Sequence, residues 1–258
     1  MSEPILSASR LNKAYRGQGG RPPLQVLRDV SFDLHAGETL GVVGESGSGK
    51  STLARVLLRL TGVDSGAISF RGVDVLRPAA QQAKHLTRKI QIVFQDPNSS
   101  MNPRRTVRQA LVEAARVSGD PEATSERSLA AMLDAVGLSS DKLNSHPHHL
   151  SGGQRQRVAI ARALAVSPEI IVADECVSAL DVSVQSSILN LLLELQRKRG
   201  LAYIFIGHDL AVVHHMSDRI MVMQKGQVVE TGDPGQIMRN PTHSYVRELI
   251  DSVPSLHS

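Results

Sequence analysis

The sequence predicts an α/β fold built on a largely parallel sheet, and three observations carry that prediction. The first is a glycine loop, Gly44-Glu45-Ser46-Gly47-Ser48-Gly49-Lys50-Ser51, set between an apolar run and a helical one. The second is another apolar run, Ile170–Ala173, that ends in the carboxylates Asp174 and Glu175. The third is an alternation of strand and helix signals along the chain, the pattern of α/β proteins.

Taken in order, residues 3–15 and 24–36 read as two short strands split by the glycine/proline loop Arg16–Pro23. Thr39–Val43 is a continuous apolar run and reads as a buried strand, and Thr52–Leu58 behind the loop reads as a helix. A β-rich stretch covers Ala67–Val75, and Ile90–Phe94 is another strand. From Val107 to Val136 the pattern is helical, punctuated by Gly137. Ser151 reads as a helix N-cap, two glycines keep the backbone open, and Arg155–Val166 is the helix that follows. Strand and helix signals resume from Ile170 to Val229, with Tyr203–Ile206 as a strand. No internal repeat and no low-complexity linker is apparent, so the chain reads as one domain, 1–258, with a helical insertion at about 96–165.

Length and composition suit an enzyme of the cytosol. The 258 residues, 41% of them hydrophobic, suffice for one large core or two smaller ones. No apolar run approaches a membrane span, and Met1–Ile5 opens no secretory signal. The single cysteine, Cys176, excludes an internal disulfide framework and a cysteine-built metal centre within one chain. A formal charge of +4 permits contact with nucleic acid or anionic lipid without arguing for either.

Gly44–Ser51 fits the pattern G-x-x-x-x-G-K-[ST] in the strand–loop–helix setting that the pattern needs. Glycines let successive N–H groups turn toward phosphate oxygens, and the helix N-terminus adds a favourable dipole. Lys50 then reaches the β- and γ-phosphates and Ser51 ligates Mg²⁺, so the motif predicts a nucleoside triphosphate site running through Thr52. The competing reading is a glycine turn with a chance lysine. Asp174, at a strand end, is placed to hold Mg²⁺ through water, and Glu175 to polarise an attacking water. Alone, an apolar run closed by Asp-Glu is an ordinary strand end. Leu150-Ser151-Gly152-Gly153-Gln154 makes a second helix N-terminus suited to an anion in a chain with one phosphate loop, and its simplest use is on the γ-phosphate of a neighbouring subunit.

With those residues in view, the chain closely resembles the nucleotide-binding subunits of ATP-binding cassette (ABC) transporters over essentially its whole length. The phosphate loop, Gln95, Leu150–Gln154, Asp174-Glu175, Ser178-Ala179-Leu180-Asp181 and His208 stand in that family's order and spacing. The resemblance implies a P-loop NTPase (RecA-like) core with an antiparallel β subdomain and an inserted helical subdomain. It also implies a head-to-tail dimer closing on two ATP molecules with Mg²⁺, each nucleotide between one subunit's phosphate loop and the other's Ser151, Gly152, Gly153 and Gln154. By the same resemblance Gln95 senses Mg²⁺ and γ-phosphate, Glu175 is the general base, and His208 contacts the γ-phosphate. Asp181 links the two sites across the dimer, and Tyr15 stacks on adenine.

Phe94–Arg104 resembles the extended glutamine loop of oligopeptide/dipeptide/nickel importer ATPases, and Asn240–Leu249 their C-terminal tail (about 236–258). Val177–Gln185 resembles the second, F-type ATPase of such systems. The implied partners are a sister ATPase, two membrane permeases and an extracytoplasmic binding protein, with no nucleic acid. The implied place is the cytoplasmic face of the inner membrane, and short peptides are the expected cargo, with nickel chelates, opines and glutathione as alternatives. Three residues depart from the family pattern: Cys176 for proline, Gly207 for serine or threonine, and Ser244 for proline. Soluble DNA- or ribosome-associated ATPases of the superfamily carry long insertions or a second cassette, which this sequence lacks, and a nucleotide kinase or GTPase leaves Leu150–Gln154 unexplained. His146, His148, His149, His214 and His215 invite a metal reading, but adjacent histidines diverge on a helix and no cysteine or carboxylate completes a set.

Overall fold

The computed structural model describes residues 3–16, 22–96 and 101–251. Parts of the predicted Arg16–Pro23 loop, of the extended glutamine loop and of the C-terminal tail lie outside the described residues. Two compact units are formed, one by Met1–Leu86 with Ala202–Ser258 and the other by Thr87–Leu201.

In the first unit, β1 (Leu6–Tyr15), β2 (Leu24–Leu34), β4 (Ser65–Phe70) and β5 (Val73–Asp74) form an antiparallel sheet in the order β2-β1-β4-β5. Leu6, Ala8 and Leu11 of β1 and Leu27, Val30, Phe32 and Leu34 of β2 are buried while residues between them face out, the alternation expected of a half-covered antiparallel sheet. The same unit holds β3 (Thr39–Val43) between two parallel neighbours, β8 (Ala202–Gly207) and β9 (Arg219–Gln224), with β10 (Gln227–Gly232) antiparallel on β9. All five residues of β3 are buried, which is why its sequence is continuous in apolar character rather than alternating. Its entry is pinned by polar contacts: Asp218 accepts from the Thr39 amide at 2.8 Å, and Arg219 donates to Glu38 at 3.0 Å.

Helix α1 (Lys50–Leu57) follows the glycine loop and buries Leu53, Ala54, Val56 and Leu57. Helix α2 (Ala80–Lys89) was not legible in the sequence, because Leu86 is the one buried residue among its ten and no apolar stripe marks it. After β8 comes α7 (Leu210–Met216), and α8 (Pro234–Arg239) and α9 (Ser244–Asp251) follow β10.

In the second unit, β6 (Ile90–Val93) and β7 (Ile170–Asp174) pair in parallel, and Lys89 meets Glu169 at 3.1 Å where both strands begin. The predicted helical stretch Val107–Val136 is two helices, α3 (Val107–Arg116) and α4 (Glu126–Asp134), with a 3₁₀ turn at Pro121–Thr124 between them. Gly119, in the left-handed region at φ 77°, and Pro121 break the run. Thr106 and Gln109 cap α3 reciprocally, Ser125 caps α4, and Arg108 grips the Glu126 carboxylate with two nitrogens to join the two helices.

Helix α5 (Gly152–Leu164) begins at once after Ser151, so Gly152 and Gly153 form its first turn rather than an open loop. The reason lies in packing. A Cβ on Gly153 would stand 2.5 Å from Val184 Cγ1 of α6 (Val182–Arg199), so only glycine lets the two helices approach there. Helix α6 buries Ile188, Leu189, Leu191, Leu192 and Leu195, a stripe at helical spacing worth about 1.5–3 kcal/mol for each side chain fully removed from water. It ends at Gly200, a left-handed C-cap at φ 65°.

Candidate active site

In each unit the candidate residues stand at strand ends. In the first unit the parallel register sets Val43 opposite Gly207, so the phosphate loop and His208 leave adjacent strands at the same carboxyl edge. In the second unit Val93 stands opposite Ala173. Gln95 and the pair Asp174-Glu175 therefore also leave neighbouring strands together, at the edge where open α/β sheets bind ligands.

The loop between β3 and α1 has its crest, Glu45 to Gly47, exposed and its base, Ser48 to Lys50, buried. Gly49 takes φ 108° as the residue preceding α1, with the Val26 carbonyl only 2.5 Å from where a Cβ would lie. Gly47 takes φ 81° with open space around it. The side chain of Lys50 is folded back into the loop, donating to the carbonyls of Gly44 at 2.6 Å and Glu45 at 2.9 Å and to Ser48 Oγ at 3.3 Å. A buried ammonium needs such acceptors, and backbone carbonyls are acceptors that phosphate oxygens can replace. Ser51 is exposed and Thr52 half-buried at the start of α1, and His208 is exposed just past β8.

Tyr15 lines a cavity of about 490 Å³ with Lys13, Arg16, Pro23 and Asp64. The residue is 38% exposed, with Lys13 Nζ 5.6 Å from the ring centroid, which leaves surface for stacking. Asp64 braces the strand end by accepting from the Ala14 amide at 2.6 Å, and that hydrogen bond holds its carboxyl below the usual range, with Lys13 adding to the effect.

In the second unit Gln95 is exposed and donates to Ser178 Oγ at 3.0 Å, and Ser178 in turn donates to the Glu175 carbonyl at 3.0 Å. Ser178 thus ties the strand-end glutamine to the backbone of Glu175, a link that the sequence reading did not anticipate. Glu175 itself sits at φ 48°, a conformation that costs a non-glycine residue about 1–3 kcal/mol. Cys176 is fully buried, and that burial pushes its thiol up to about 12, so it is not a reactive group. Asp181 precedes α6 in the capping position, but its side chain makes no capping hydrogen bond. Ser151 and Gln154 form a reciprocal capping box: the Gln154 amide donates to Ser151 Oγ at 3.3 Å, and the Ser151 amide to Gln154 Oε1 at 3.0 Å. The phosphate loop, Tyr15 and His208 belong to the first unit, and Gln95, Ser151–Gln154, Asp174, Glu175 and Asp181 to the second.

The other two departures are accommodated locally. A Cβ at Gly207 would stand 2.7 Å from Val213 Cγ2, so glycine at this position lets α7 pack close to β8. Ser244 simply begins α9. The rings of His146, His148 and His149 pack against one another, with centroids 4.1–6.1 Å apart. Among the described residues no group of three His, Cys, Asp or Glu is placed to hold a metal ion, and no helix is long and apolar enough to cross a membrane.

A parallel core with a lysine-bearing glycine loop at the carboxyl edge of its central strand defines a P-loop nucleoside-triphosphatase fold. Residues 27–178 match the family model described as ABC transporter. The chain is 50% identical over 234 residues to the glutathione import ATP-binding protein GsiA of Escherichia coli (strain K12), covering 90% of this chain and 37% of GsiA. It therefore spans little more than a third of the length of that curated relative. It is 44% identical over 253 residues to the putative oligopeptide transport ATP-binding protein YkfD of Bacillus subtilis (strain 168), covering 97% of this chain and 77% of YkfD. A solved dimeric structure of the ATP-binding cassette MJ0796, in a post-hydrolysis state bound to ADP and Pi, matches with a TM-score of 0.76 at 28% identity, over 89% of this chain and 99% of that one. The chain belongs to the ABC transporter family, as one of its ATP-binding cassettes.

Proposed function

We propose that this chain is the ATP-hydrolysing motor of an importer that takes up short peptides across the cytoplasmic membrane. The observation that carries the reading is the phosphate loop, whose lysine is held by carbonyls that it can exchange for phosphate oxygens. The names of its relatives, a glutathione importer and a putative oligopeptide transporter, support a peptide cargo, glutathione being itself a short peptide.

In this reading Gly44, Glu45, Ser46, Gly47, Ser48, Gly49, Lys50, Ser51 and Thr52 bind the triphosphate and Tyr15 stacks on the base. Glu175 is the general base, His208 contacts the γ-phosphate and positions the reacting water, and Gln95, tied to Ser178, senses Mg²⁺ and the γ-phosphate. Ser51, Gln95 and Asp174 offer a hydroxyl, an amide and one carboxylate, a hard oxygen set that suits Mg²⁺ shared with phosphate oxygens. Bound there, Mg²⁺ neutralises charge on the phosphates. The capping box leaves the Ser151 O–H free to donate while its oxygen serves the helix, which fits Ser151–Gln154 to the nucleotide of a second cassette. The dimeric state of MJ0796 supports that arrangement, and Asp181 would connect the two sites. A sister ATPase, two permeases and an extracytoplasmic binding protein complete the machine, with this chain peripheral on the cytoplasmic face.

The test is uptake of labelled di- and tripeptides, glutathione and nickel in cells lacking the gene, complemented with wild type, Lys50→Ala or Glu175→Gln. Peptide uptake is expected to return with wild type alone. In the reconstituted complex Glu175→Gln should bind ATP normally and hydrolyse it about 10²-fold more slowly or worse. Wild-type turnover in that variant would remove Glu175 as the base, and unchanged peptide uptake in the null cells would remove the cargo.

A further inference from the structure

One hold on the phosphate loop comes from α9. Tyr245, in the first turn of α9, is 3% exposed, and its hydroxyl oxygen accepts from the Glu45 amide at 2.9 Å. The segment that presents it is fixed to β10 and to itself. Glu230 accepts from the amides of Thr242, at 3.0 and 3.1 Å, and His243, at 3.0 Å, while His243 Nδ1 accepts from the Tyr245 amide at 3.2 Å. Arg247 closes the hook by donating to the carbonyls of Pro241 and Thr242, each at 3.2 Å. The phenol is a neutral acceptor across the working pH range, since burial raises its pKa and outweighs the opposing effect of the Glu45 amide.

We infer that Tyr245 is a positioning residue for nucleotide binding, holding the Glu45 amide so that the phosphate loop keeps its shape when Lys50 turns to the phosphates. The inference rests on the ATP-binding reading. Glu45 is clamped from both sides: its amide by Tyr245, its carbonyl by Lys50 at 2.9 Å and by the Ser48 amide at 3.1 Å. When Lys50 exchanges the Gly44 and Glu45 carbonyls for phosphate oxygens, the carbonyl loses its ammonium and the tyrosine's hold on the amide persists. Tyr245 therefore supports the loaded loop more than the free one, and only such a difference can change affinity.

The test compares Tyr245→Phe, which keeps the ring and loses the acceptor, with Tyr245→Leu, which loses both, in the full chain. Binding of a fluorescent ATP analogue with Mg²⁺ and the thermal midpoint are read for each, with Lys50→Ala as the reference. A positioning role predicts that Phe weakens binding about three- to tenfold, the range of one hydrogen bond, and that Leu weakens it equally although it lowers Tm much further. Wild-type affinity in Tyr245→Phe would overturn the inference, and so would an affinity loss that follows Tm across the two variants. Lys50→Ala binding as tightly as wild type would instead sink the nucleotide reading, and this inference with it.

Discussion

Replacing Gly49 with alanine tests whether the phosphate loop owes its shape to missing side chains. Two separable effects act at this position. The backbone stands at φ 108°, which costs an alanine about 1–3 kcal/mol. The new Cβ would also lie 2.5 Å from the Val26 carbonyl and 3.2 Å from Leu27 Cδ2. Backbone cannot swing aside as a side chain tip does, so β2 must shift, adding about 1–3 kcal/mol of overpacking. The sum, about 4 kcal/mol, is a large part of an ordinary domain's stability and lowers Tm by about 8–16 °C for a chain of this size. Gly47→Ala is the internal control: it stands at φ 81° with nothing within 4 Å, so it carries strain alone, about 1–2 kcal/mol. Calorimetry of both variants without nucleotide separates the two effects. If Gly49→Ala melted within about 3 °C of Gly47→Ala, steric contact with β2 would not be what dictates glycine there.

Cys176 should ignore a thiol reagent in the native protein and react fully once guanidinium unfolds it, because its thiol is buried and pushed up to about 12; rapid native labelling would contradict its placement. The hook that leads into α9 should loosen in acid. Burial of Glu230 raises its pKa, but the amides of Thr242 and His243 outweigh that and hold the carboxyl below its ordinary value. A depressed folded pKa gives stability that is present above the unfolded pKa and lost as pH falls through the folded one. With no tryptophan and three tyrosines in the chain, tyrosine fluorescence can report the release of Tyr245; Glu230→Gln should abolish the pH dependence in that window, and an unchanged acid transition would refute the assignment.

What the sequence revealed depended on how local each cause was. The strand, loop and helix around Lys50 were legible because their signals are contiguous: a fully buried strand, glycines and a helical run. The N-cap at Ser151 was legible for the same reason. The two glycines after it were misread as open backbone, since glycine ordinarily weakens a helix, and the reason for Gly153, the proximity of Val184, lies outside the motif. Helix α2 escaped notice because it buries a single leucine. The breaks around Gly119 and Pro121 were present in the sequence but weaker than the surrounding helical period. The bridges from Gln95 to Ser178 and from Tyr245 to Glu45 join residues 83 and 200 positions apart, and no local pattern announces them.

The pairing of β3 with β8 and β9 has a consequence for biosynthesis. Thr39–Val43 is wholly apolar-facing in the finished protein, yet its partners Tyr203–Gly207 and Arg219–Val222 are translated long afterwards. At roughly 5–20 residues per second, about 8–30 s separate the emergence of the strand from that of its first parallel neighbour. For that interval the nascent chain carries an adhesive, unpaired strand followed directly by a flexible glycine loop. The helices of residues 107–199, which belong to the second unit, can form in the meantime, whereas the phosphate loop acquires its final shape only after β8 and β9 have emerged. Truncated products that stop before β8 are therefore expected to clump rather than to bind nucleotide.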